Sequence, residues 1–67
     1  MKITVKERAD SHGSQVTHHL DFKEGLHSIL IHAFHKEVTV NFSTRVDPYV
    51  LKLTDPIDSI KIDDYSV

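Results

Sequence analysis

Six histidines, His12, His18, His19, His27, His32 and His35, fall within the first 35 residues of this 67-residue chain. Imidazole can ligate a metal as a neutral base, and it changes charge near pH 6.5. His19 and Asp21 are two residues apart, so on a strand they share a face. A turn at Lys23-Glu24-Gly25 would set Asp21 opposite His27 and gather His19, Asp21 and His27 on that face. Two imidazoles and a carboxylate can hold zinc or iron. The plainer reading is three polar residues on a solvated strand, since the spacing matches no established metal motif. On the opposite face His18 would lie diagonal to His32, at ~7–8 Å between Cα atoms.

A pH response needs less geometry than a metal site. Protonating all six histidines would move the formal charge from −2 to +4. Pairing of His27 with Asp21 would favour the charged imidazole.

Catalytic patterns are weak. Ser28 lies near histidines, but a triad also needs an orienting group and an oxyanion hole in a pocket. Gly13 and Gly25 are the only glycines, so there is no glycine-rich phosphate loop. The residues therefore favour a protein that is not an enzyme and needs no cofactor, with zinc as the exception to test.

The elements that must position these groups read as strands. Between Val16 and Phe42 the large apolar residues fall mostly on even numbers: Val16, Leu20, Phe22, Leu26, Leu30, Phe34, Val38, Val40 and Phe42. Alternate strand residues share a face, so this parity predicts one oily face carried through turns at 23–25 and 35–37. Lys2 to Glu7 alternates, with Ile3 and Val5 together, and Asp10 to Ser14 has turn chemistry. A first hairpin should join 2–7 to 16–22. Further strands follow at 26–34, 38–42 and 49–53, with breaks at Asp47-Pro48 and Asp55-Pro56. Ile57, Ile60 and Ile62 end the pattern as a strand or covering turn.

The expected fold is all-β, a small antiparallel sheet or meander curling toward a barrel or sandwich, in a single domain over 1–67. The alternative is α+β, with one helix at about 24–36 packed on an antiparallel sheet. Leu26, Ile29, Leu30, Ala33 and Phe34 also form a helical stripe, and Asp21 with Glu24 resembles a capping box. Gly25, Ile29 and Ile31 weigh against that helix.

A domain this small is marginally stable alone, and it has no cysteine to form a disulfide. Self-association into a homodimer is one remedy. No apolar run approaches the ~20 residues that span a bilayer, and Met1 to Thr4 lacks the apolar h-region of a signal peptide. These features suggest a soluble, cytoplasmic protein without a membrane partner.

From Asp47 onward, Asp47, Asp55, Asp58, Asp63 and Asp64 outweigh Lys52 and Lys61, a balance of −3, whereas the first 46 residues sum to +1. An acidic end can steer toward a basic partner. In size and charge alone the chain resembles the inhibitors that phages and mobile elements make against host enzymes. The expected function is a small binding protein that occludes a partner protein's surface, such as that of a nucleic-acid-handling enzyme. Asp55, Asp58, Asp63, Asp64 and Tyr65 are its expected contacts. A histidine-based metal- or pH-responsive module is the alternative. A nucleic-acid binder using Lys2, Lys6 and Arg8 is weaker, because few phosphates could be neutralised.

Overall fold

The computed structural model describes residues 1–63. Six strands run in order: β1 (Lys2–Glu7), β2 (Thr17–Asp21), β3 (Leu26–His32), β4 (Glu37–Phe42), β5 (Tyr49–Lys52) and β6 (Ile57–Asp63). They form two antiparallel sheets of order β2-β1-β6 and β3-β4-β5, not closed into a barrel. The fold is all-β, and among the described residues there is no helix. No helix is therefore long and apolar enough to cross a membrane.

The central strands β1 and β4 supply the core. Ile3, Val5, Val38 and Val40 are fully buried and cluster with Met1, Phe42 and Leu53. Their alternation puts every second side chain on one face, and the two apolar faces cover each other. Burying each such side chain contributes roughly 1.5–3 kcal/mol. Phe22 in the link from β2 to β3 packs edge-on against Phe42 at 4.9 Å and Tyr49 at 5.3 Å.

The expected strand forms, with residues 26–32 extended, and the alternative helix at about 24–36 does not. Its helical stripe is coincidental, because β4 offers a sheet edge whose hydrogen bonds the β-branched Ile29 and Ile31 can join without helical crowding. The single continuous sheet is corrected. The 22–25 link carries the chain from one sheet to the other, so β2 and β3 do not pair.

The even-number parity fails within β3. Leu26 pairs with Phe42 but Ser28 pairs with Asn41, which leaves His27 as the extra residue of a bulge. One extra residue exchanges the two faces. Ile29 and Ile31 then share the inner face of Val40 and Val38, while Leu30 and His32 stand outside with Thr39 and Glu37. A second bulge falls in β6, where Asp58 lies between the partners of Lys6 and Glu7.

The first turn follows the expected chemistry. Asp10 Oδ1 accepts from the amides of His12 and Ser14, both at 2.9 Å, and Gly13 adopts φ +80°. The β3–β4 turn falls at 33–36, two residues earlier than expected. Ala33, Phe34 and His35 all have positive φ, at 54°, 57° and 66°.

Candidate functional site

Glu7 ends β1 on the same face as Ile3 and Val5, so alternation drives a carboxylate inward. Val5 pairs with His18, which makes His18 the diagonal neighbour of Glu7. Nε2 of His18 meets Glu7 Oε2 at 2.5 Å, with the carboxylate side chain 3% exposed and the imidazole 25% exposed. The amide of Asp55 donates to the other oxygen, Oε1, at 2.9 Å. The bond from His18 and the backbone bond from Asp55 hold the Glu7 carboxyl below its ordinary range, against the opposing effect of burial. An ionised carboxylate only accepts, so Nε2–H of His18 is the donor.

This pair closes the crossover from β5 to β6. The Arg8 amide donates to Pro56 O at 2.7 Å, Leu53 N to Lys36 O at 2.8 Å, and Ile57 N to His35 O at 2.8 Å. The last two bonds grip the β3–β4 turn. They fix a strained backbone, since each non-glycine residue in the left-handed region costs of order 1–3 kcal/mol. At the apex stands Phe34, 91% exposed.

The outer face of the first sheet carries charge of both signs. Lys2 lies between Asp21 and Asp63, and Thr4 between His19 and Lys61. Lys2, Thr4, His19, Asp21 and Asp63, with Ile3 and Leu20, line an open concavity of about 300 Å³. Its lining is polar, unlike the mostly apolar pockets that hold small molecules. Lys2 and Lys6 point to this face, but the interleaved aspartates prevent a basic stripe of the kind that holds phosphates.

His19 and Asp21 do share a face of β2, as their spacing predicts. His27 does not join them. It sits in the β3 bulge of the other sheet, with Nδ1 at 3.2 Å from Ser28 Oγ. Among the described residues no three histidine or acidic side chains converge as metal ligands would. His18 and His32 are separated as well: His18 faces inward to Glu7, and His32 lies outside with Nε2 at 2.8 Å from Thr39 Oγ1.

Of the expected partner contacts, Asp55 is half-buried and uses its amide on Glu7, while Asp58 is exposed in the β6 bulge near Gln15 Nε2 at 3.4 Å. Asp63 lies on the outer face beside Lys2. Asp64 and Tyr65 lie outside the described residues.

Two features escaped the sequence reading. The Glu7–His18 pair had a signal, because Glu7 continues the odd-numbered face of Ile3 and Val5, and His18 the even-numbered face of Leu20. Phe34 had none, because its number matches the core parity that the bulge cancels. Comparisons of the chain with protein-family models, with curated proteins and with solved structures found no match.

Proposed function

We propose that this chain is a small non-enzymatic binding protein, acting in the cytoplasm by covering a surface of a protein partner. The inhibitors that phages and mobile elements direct at nucleic-acid-handling host enzymes are the model for this mode of action. The observation that carries the reading is Phe34, an aromatic side chain in solvent on a turn pinned by two backbone hydrogen bonds. A large, rigid aromatic loses little conformational freedom when it enters an apolar pocket, and such residues dominate binding energies. The aspartates Asp55, Asp58, Asp63 and Asp64, with Tyr65, remain the proposed polar contacts that steer the encounter.

The test is capture from a bacterial lysate by immobilised wild type, Phe34→Ser, and a variant with the four aspartates changed to asparagine. A protein retained by wild type and lost with Phe34→Ser is the expected result. Equal recovery by wild type and Phe34→Ser removes the anchor. Equal recovery by the asparagine variant removes the acidic contacts.

A second reading, the pH-responsive module, is favoured by Glu7 and His18 and not by His27 with Asp21. Protonation of Glu7 would remove the charge that strengthens its bonds to the imidazole and to the Asp55 amide, loosening the crossover that grips the Phe34 turn. For the metal version, His19 and Asp21 are the adjacent pair, and a third ligand would have to come from elsewhere. Elemental analysis of untagged protein, with melting measured in zinc and in chelator, tests it. No bound metal and no shift in melting would dismiss it.

A further inference from the structure

Among the described residues four strands lie at sheet edges, and three of them carry the features that deter pairing with another chain. β2 holds Asp21, β5 follows Pro48 and ends at Lys52, and β6 holds Asp58, Lys61 and Asp63. Charge and proline on an edge make added strands unfavourable. β3 has neither. Its sequence is Leu26-His27-Ser28-Ile29-Leu30-Ile31-His32, with no formal charge when the histidines are neutral. Leu30 is 51% exposed on its outer face and Ile31 43% exposed on its inner face.

We propose that β3 is where two copies of this chain pair, edge to edge and antiparallel, with Leu30 opposite the Leu30 of the second copy. The bulge at His27 confines regular backbone to Ser28–His32, and Leu30 is the centre of that stretch. A two-fold axis perpendicular to the sheet must relate residues of the same face, which centring on one residue satisfies. This register sets Ile29 opposite Ile31 on the inner face and Ser28 opposite His32 on the outer face. Every apolar side chain meets an apolar one, and each His32 meets a hydroxyl.

The charges agree with the same occupant. Glu37 and Lys52 lie in the cross-strand row of His32 within one copy, so they neutralise each other and no like charges are brought opposite. Leu30, Thr39 and Val50 form the adjacent row, and pairing would continue it into a six-stranded sheet with the two Leu30 side chains together at its middle. Equivalent pairing of β6 about Ile60 would bury Asp58 and Asp63 against isoleucines. The inference is independent of the partner-binding reading, because Phe34 lies beyond the paired stretch.

Light scattering on untagged protein should give twice the 7.7 kDa chain mass at high concentration. Leu30→Lys, which sets like charges opposite each other, should return the mass to one chain while leaving the circular dichroism unchanged. Leu30→Cys supplies the only thiol in the protein. Opposed Cβ atoms ~4.5–5.5 Å apart suit a disulfide with modest adjustment, so oxidised glutathione should link this variant into dimers much faster than a Ser59→Cys control on β6. A single-chain mass for wild type overturns the proposal. So does a dimer that survives Leu30→Lys and links no faster through residue 30 than through residue 59. Loss of the dimer with Leu30→Lys while Phe34-dependent capture persists separates this interface from the partner site.

Discussion

His18 donates through Nε2 to the buried carboxylate of Glu7, joining the inner faces of two neighbouring strands where only apolar groups would otherwise meet. The second carboxylate oxygen takes the Asp55 amide, so one side chain ties β1, β2 and the crossover into β6.

Acid should weaken the fold through Glu7. Its folded-state pKa lies below the ordinary value of 4.5. A group lowered on folding adds stability above its unfolded pKa, and that contribution disappears as pH falls through the folded pKa. Urea unfolding at a series of pH values should show stability declining below about pH 4.5, and Glu7→Gln should flatten that decline. An unchanged slope in Glu7→Gln would locate the acid sensitivity in other carboxylates.

Removing either member of the pair leaves a buried polar group short of a partner. His18→Ala should therefore destabilise by about 1–3 kcal/mol, and Glu7→Ala by a similar amount, in urea titrations. Because the two groups share one bond, the double variant should lose less than the two single losses combined. Additive losses would show that each residue acts alone.

Substitution at the apex should separate stability from binding. Phe34 has φ 57° and its ring is in solvent, so Phe34→Gly relieves left-handed strain without uncovering the core. Thermal unfolding should show a gain of up to about 1 kcal/mol, while capture of a partner by the same variant is lost. Destabilisation would mean that the ring packs against the turn and is not free.

Core truncation should be severe for so small a domain. Ile3 is fully buried, and Ile3→Ala should cost about 2–5 kcal/mol, against a total stability of about 3–10 kcal/mol for this length. Ile3→Val should cost about 0.5–1.5 kcal/mol and leave a cooperative transition. A loss below this range in Ile3→Ala would mean that the two sheets are packed loosely over β1.

Local order in the sequence determined the strands. Alternation at Ile3 and Val5, and at Val38, Val40 and Phe42, marks inner faces because the period of two is a property of extended backbone. Turn chemistry at Asp10 to Gly13 and prolines at 48 and 56 mark breaks for equally local reasons. Tertiary structure decided which strands pair. Whether 22–25 makes a hairpin or passes between sheets depends on how Phe22 finds Phe42 and Tyr49, which are distant in sequence. That choice separated His27 from His19 and Asp21. The bulge at His27 then exchanged the faces of Leu30 and Ile31, and the turn at 33–36 carried Phe34 into solvent. The last two outcomes follow from the register of β3 on β4, which sets Ile29 and Ile31 beside the buried Val40 and Val38, and burial of that face outweighs the parity of the residue numbers.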